Sequence, residues 1–186
     1  MRRLLCLVLL LLASAAASVG ADDPLPAEPD GYRNEDYRAP TPAALKGALV
    51  VTTDEAETIW TRGDAVFIDV MPQAPRPANL PAGTIWRDRP RFNIPNSVWL
   101  PDTGYGELAA VTERYLRTNL ERATAGDHAK LLVFYCLKDC WMSWNAAKRA
   151  LAFGYTNVVW FPDGTDGWSE IGLPLAESKP QTRPAE

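Results

Sequence analysis

The stretch from Leu131 to Trp168, LLVFYCLKDCWMSWNAAKRALAFGYTNVVWFPDGTDGW, limits the fold more than any other part of the chain. Leu131–Tyr135 is a run of aliphatic, β-branched and aromatic residues short enough to be one buried strand. A tight loop holding Cys136 and Cys140 follows, then a helical pattern from Trp141 to Phe153, with Gly154 placed as a residue ending a helix. Asn157–Phe161 reads as the next strand. A strand–loop–helix–strand unit predicts a right-handed crossover between parallel strands. Such units gather reactive groups at the carboxyl end of the first strand and the start of the helix, where both cysteines fall.

The chain around this unit is organised to match. Arg2 and Arg3, the apolar run Leu4–Leu12 and Val19-Gly20-Ala21 form a secretory signal peptide over residues 1–21, too short in its apolar core to span a membrane. Cleavage after Ala21 takes the 19 basic side chains to 17 against 23 acidic, a net charge of −6, and leaves two of the three cysteines. An acidic chain with no basic cluster argues against nucleic acid as a partner. A periplasmic location, with its oxidising chemistry, is the expectation for an exported cysteine pair.

Residues 22–47 are rich in Pro, Asp and Glu and read as a linker or surface-draped arm. The domain spans 48–175, and 176–186 read as a C-terminal tail. A strand is expected at Ala48–Val51, followed by a capping box at Thr52 and Glu55 that starts a short helix to Arg62. Ala65–Val70 is a second buried strand carrying Asp69. Met71–Asn93 holds five prolines and four arginines, a long loop over the same sheet edge as the cysteines. Ile94–Leu100 reads as a third strand, and Glu107–Arg122 as an amphipathic helix. This order predicts an α/β domain with a mostly parallel sheet.

Two cysteines with three residues between them can bridge if the loop turns back, since the bond requires Cα atoms about 4.4–6.8 Å apart. So small a closed loop stabilises a fold by only about 2 kcal/mol, which favours a chemical role; a structural disulfide stands as the alternative. A thiol at a helix start faces unpaired N–H groups, and such sites lower its pKa from about 8.5 to about 3.5–7.5. The sequence therefore assigns Cys136 as nucleophile and Cys140 as resolving partner, with Lys138 adding positive charge and Asp139 completing the loop. Metal binding fails on reach: at about 3.3 Å per residue the lone His128 stands roughly 20 Å from Cys136, and two thiolates alone make a poor zinc site.

Trp141 and Trp144, near the helix start, read either as packing residues or as an aromatic wall for an apolar or quinone-like ligand. Asp69 reads as a hydrogen-bonding group at its strand end rather than a catalytic acid. Arg87, Arg89 and Arg91 read either as a lid attracting anions or as a solvated loop. Trp60, Trp99 and Trp160 are expected in the core, Gly164 and Gly167 in turns, and Trp168 as a cap on the core.

The order of elements, the strand ending in VFIDV, Ile94-Pro95-Asn96-Ser97-Val98, the strand–Cys–loop–helix unit and Gly164-x-x-Gly167-Trp168 resemble a rhodanese-like domain over about residues 48–175. The resemblance implies a three-layer fold and a persulfide-carrying Cys136. More narrowly, the stretch from Cys136 to Trp168 resembles the PQQ-dependent catabolism-associated CXXCW motif family, with three residues here between the cysteines. That implies an exported sulfurtransferase or thiol–disulfide oxidoreductase linked to a PQQ-dependent alcohol dehydrogenase system or a periplasmic thiol redox partner. The alternative it allows is a non-enzymatic accessory protein of that system. The chain departs from the broad pattern at three places: Trp141 stands where the loop carries Arg, Met71 replaces the Arg of Asp-x-Arg, and Phe92-Asn93 replace the Gly-His of Gly-His-Ile-Pro. An anionic sulfur donor thereby loses a bidentate clamp, which shifts the implied chemistry towards dithiol exchange or ligand binding.

Overall fold

Parallel strands that alternate their side chains between two helical layers account for the architecture. The computed structural model describes residues 24–183; the stretch read as a signal peptide lies outside the described residues. Five strands pair in parallel in the order β1 (Leu49–Val50), β6 (Val158–Phe161), β5 (Leu132–Tyr135), β2 (Val66–Asp69) and β4 (Val98–Trp99). Alternation sends Leu132, Phe134 and Trp160 into one core and Val133, Tyr135 and Phe161 into the other. The first core packs against α2 (Ala110–Thr124) and α3 (Trp141–Ala152), through Leu116, Leu120, Trp144 and Ala147. The second packs against α1 (Thr53–Arg62) and α4 (Gly164–Glu170), through Ala56, Ile59 and Trp168. This is the three-layer α/β arrangement with a mostly parallel sheet. Among the described residues no helix is long and apolar enough to cross a membrane.

Local signals explain the element ends. Thr52 accepts the Glu55 N–H while the Glu55 carboxylate accepts the Thr52 N–H at 2.8 Å, completing the capping box, and Gly63 ends α1 at φ +71°. Trp168 is fully buried, donates to the Pro174 carbonyl at 2.9 Å and meets Trp60 edge to face. Trp160 and Trp99 are core residues, while Trp60 is half-buried, with its indole N–H on the Pro95 carbonyl.

Four expectations are corrected. The third strand is only Val98–Trp99, because Asn96 takes φ +66° and Ser97 donates back to the Ile94 carbonyl, turning the chain where a strand was expected. The proline-rich loop does end in regular structure: Arg91–Asn93 forms β3, antiparallel to β7 (Ala176–Ser178). That partner lies in the segment read as a tail and is separated from it by more than eighty residues, a pairing no local pattern announces. The second amphipathic helix begins at Ala110 rather than Glu107 and runs on to Thr124. Gly167 lies inside α4 rather than in a turn, where a Cβ would stand 2.7 Å from the Thr53 hydroxyl oxygen.

Residues 24–47 carry no helix or strand, yet they are pinned along α3. Asn145, fully buried, accepts the Arg33 N–H at 2.9 Å and donates to the Arg33 and Gly104 carbonyls at 2.8 and 2.9 Å. Trp141 and Trp144 donate their indole N–H groups to the carbonyls of Pro40 and Ala44. Leu45 enters the core.

Gly164 closes the fold against the cysteine loop. Its φ is +52°, and a Cβ there would lie 2.4 Å from the Cys136 carbonyl oxygen. Gly164→Ala is expected to lose at least about 2 kcal/mol of stability, measured by urea unfolding.

Candidate active site

The register of β2 on β5 builds the site. Ile68 pairs with Phe134 and Asp69 with Tyr135, so the residues just beyond these strands meet. Met71 Sδ lies 3.6 Å from Cys136 Sγ. The Met71 carbonyl is itself fixed, accepting the Trp99 indole N–H at 2.7 Å.

Cys136 continues the alternation of Leu132 and Phe134 and therefore points into the first core, with no exposed surface. Its carbonyl accepts the Thr165 N–H at 3.0 Å, and Leu137 bridges to Gly164, which ties the loop to α4. Lys138 and Asp139 are exposed at the loop tip; Asp139 takes φ +52°, and the Lys138 N–H donates to Asp166. Cys140 immediately precedes α3, is 3% exposed, and is covered by a bridge from Arg38 and by the hydrogen bond from Trp141 N to the Tyr37 carbonyl.

The two thiols share one short loop and are sharply unlike. Burial pushes the Cys136 thiol well above its ordinary range, and donation to Cys140 and the nearby Asp69 push it further. Cys140 is lowered to about 7, first by the hydrogen bond from Cys136, then by the amides of Leu137, Met142 and Ser143, against an opposing effect of burial. These surroundings favour the thiolate at Cys140 and disfavour it at Cys136, the residue read from sequence as the nucleophile. The helix-start effect is real but acts on the residue adjoining the helix, not on the strand-end residue held in the core. Lys138 is not among the groups that lower either thiol.

On the other face of β2 lies a buried ion pair. Asp69, with no exposed surface, accepts from Arg91 Nε at 2.8 Å and from the Met71 N–H at 2.9 Å. Arg91 reaches on to the Thr165 hydroxyl at 3.3 Å. Tyr135 donates to Asn93 Oδ1 at 2.6 Å within the same cluster. Arg91 is therefore no part of a lid: β3 delivers it into the fold, and its side chain is 14% exposed. Arg87 and Arg89 are exposed, as a solvated loop requires. Arg89 and Arg91 line a cleft of about 310 Å³ with Met71–Ala74, Asp88, Pro90 and Trp99. Met71 separates that cleft from Cys136. Trp141 and Trp144 are buried and pack edge to face against each other, and Trp141 also lines a cleft of about 320 Å³ with residues of the N-terminal arm, among them Tyr32 and Arg33.

Sequence reasoning missed Met71 as a neighbour of the thiols and Thr165 as the link between loop and ion pair. It did contain one unused signal: Cys136 is two residues from Phe134, which is itself two from Leu132, so strand alternation already placed its side chain inward.

Burial leaves Asp69 with a raised pKa even beside Arg91, whose charge and hydrogen bond pull it down. Arg91→Met removes that counterweight from a buried carboxylate and is expected to cost about 3–5 kcal/mol where Asp69 is ionised. A carboxyl whose folded pKa is raised loses stability as pH rises above its ordinary 3.8 towards the folded value. Urea midpoints of variant and parent should therefore converge in acid and separate as pH increases.

Comparison with known proteins agrees with this architecture. The family model described as "Rhodanese-like domain" matches residues 52–171. No curated protein matches the chain. Among solved structures, the chain is similar to a polysulfide-sulfur transferase homodimer from Wolinella succinogenes, at 19% identity and TM-score 0.45, covering 72% of this chain and 82% of that one. It is also similar to an uncharacterized protein from Saccharomyces cerevisiae, at 21% identity and TM-score 0.41, covering 67% and 93%.

Proposed function

The chain belongs to the rhodanese-like family, and from that premise we propose thiol redox or sulfane-sulfur chemistry at the Cys136–Cys140 pair, with Cys140 attacking and Cys136 resolving. The observation that carries this reading is the placement of the pair: Cys140 adjoins the start of α3, where its thiol is lowered to about 7, while Cys136 lies in the core, where burial holds it protonated. A thiolate at neutral pH is the nucleophilic form of cysteine.

With a persulfide donor, the Cys140 thiolate attacks the outer sulfur, the donor S–S bond breaks and the donor leaves as a thiolate. Cys140 then carries the persulfide. The Cys136 sulfur attacks Cys140 Sγ, the Cys140 persulfide bond breaks, and the outer sulfur leaves as hydrogen sulfide with the Cys136 proton. The sulfane sulfur has gained two electrons and the thiol pair, now a disulfide, has lost them; a dithiol reductant restores the pair. If the persulfide is instead passed to an acceptor thiol, Cys136 remains reduced.

Reaction requires movement, because Met71 and the segment Tyr37–Arg38 cover the two sulfurs. An unbranched Met side chain is suited to act as a door, since it repacks at little cost. The burial of both sulfurs favours a second reading, a non-enzymatic accessory protein in which the loop is structural. The narrower likeness of the Cys136–Trp168 stretch supports placing either role in the periplasm beside a PQQ-dependent alcohol oxidation system. Fractionation of native cells tests that placement: a periplasmic chain beginning at Asp22 is expected, and a full-length cytoplasmic chain overturns it.

The chemistry is tested by following iodoacetamide modification of the reduced protein against pH. Cys140 is expected to titrate with an inflection at about 7, while Cys136 stays unreactive until far more alkaline. Cys136→Ala removes the largest cause of the shift and should move the Cys140 inflection upward. Incubation with a persulfide donor should then add one sulfur to Cys136→Ala by mass and leave the parent two daltons light. Two thiols titrating alike, with neither mass change, would favour the accessory reading.

A further inference from the structure

Away from the thiols, α2 carries Arg114, Thr118 and Arg122 at i, i+4 and i+8, a spacing that sets all three on one helix face. That face is one wall of a cavity of about 300 Å³, and Thr182 and Arg183 form the opposite wall. Both walls are held. The C-terminal segment is pinned by Gln181 N on the Trp99 carbonyl at 3.0 Å and by the Tyr115 hydroxyl on the Gln181 carbonyl at 2.9 Å. Arg183 donates to the Pro101 carbonyl at 3.0 Å, pairs with Asp102 and lies over the Tyr115 ring at 5.4 Å. Arg122 is steadied by Asn119 Oδ1 at 3.2 Å.

The charge around this cavity is unbalanced. Three guanidinium groups line it and no carboxylate does. Among the described residues Arg183 has its partner in Asp102, while Arg114 and Arg122 make no ion pair. In a chain whose net charge is −4, this concentration of positive charge is local and runs against the overall sign. Guanidinium groups grip carboxylate and phosphate oxygens in pairs, and the hydroxyls of Thr118 and Thr182 add neutral partners between them. The volume stands at the small end for ligand sites, which run from about 300 Å³ upward.

We propose that this cavity binds a small multivalent oxyanion, a phosphate ester or polycarboxylate, between Arg114 and Arg122 of α2 and Arg183 of the C-terminal segment. Ligand binding there joins α2 to the C-terminal segment and so raises the thermal midpoint of the whole domain. It leaves the cysteine loop untouched.

The test is thermal unfolding of the reduced full chain titrated with pyrophosphate and, separately, with citrate. A saturable rise in midpoint with either is expected; pyrophosphate alone marks phosphate chemistry and citrate alone marks carboxylate chemistry. Arg114→Gln/Arg122→Gln, two exposed positions, should weaken binding by at least about tenfold without changing the rate of Cys140 alkylation. Arg87→Gln/Arg89→Gln, elsewhere on the surface, should bind as the parent does. The proposal is overturned by an unsaturable rise, by one reproduced with sodium chloride of equal ionic strength, or by equal binding in the Arg114/Arg122 variant.

Discussion

The pairing of β2 with β5 is the constraint on which the site depends. Asp69 opposite Tyr135 fixes both what lies beyond each strand and which face each residue takes. One step past Tyr135, Cys136 turns to the α2–α3 side; two steps past Asp69, Met71 arrives beside it. A slip of one residue in β2 would turn its side chains to the other face, putting the carboxylate in the apolar core beside Cys136. The two fully buried groups, one an acid and one a thiol, keep their opposite surroundings only while that register holds.

Asp69 makes that register costly to lose. A carboxylate without exposed surface is tolerable only when paired and hydrogen-bonded, and its partners come from distant places. Met71 supplies an N–H from the following residues, and Arg91 arrives from β3, held in place by β7. The ion pair is weak evidence of net stabilisation, since desolvation offsets much of its attraction. Its effect is specificity: the proline-rich loop can leave the sheet edge, but it must return with Arg91 over Asp69. Through Thr165, which Arg91 touches and which also holds the Cys136 carbonyl, the same pair is joined to the cysteine loop.

Periodic features of the chain were legible in the sequence, and long-range ones were not. The strands at Leu132–Tyr135 and Val158–Phe161, α3 and the capping box at Thr52 and Glu55 follow from local pattern and agree with the structure. Asp69 was legible as a hydrogen-bonding group, though Arg91 as its partner was not, because a long proline-rich loop intervenes. β3 and β7 are three residues each, too short for any period to show, and exist because each supplies the other's hydrogen bonds. The helix-start argument correctly placed a perturbed thiol in this loop. It weighed the macrodipole for Cys136 and omitted the alternation that buries it.

The two thiols differ because their surroundings differ. Cys136 continues the strand alternation into the apolar core, where burial holds its proton, and its Sγ lies 3.6 Å from Met71 Sδ. Cys140 adjoins the start of α3, where the amides of Met142 and Ser143 favour its thiolate against the effect of burial. Three intervening residues thus separate a thiol belonging to the sheet from one belonging to a helix terminus. Dithiol chemistry at this loop would draw on that contrast, because an ionised sulfur is the nucleophilic form and a protonated neighbour supplies the proton that a leaving group needs.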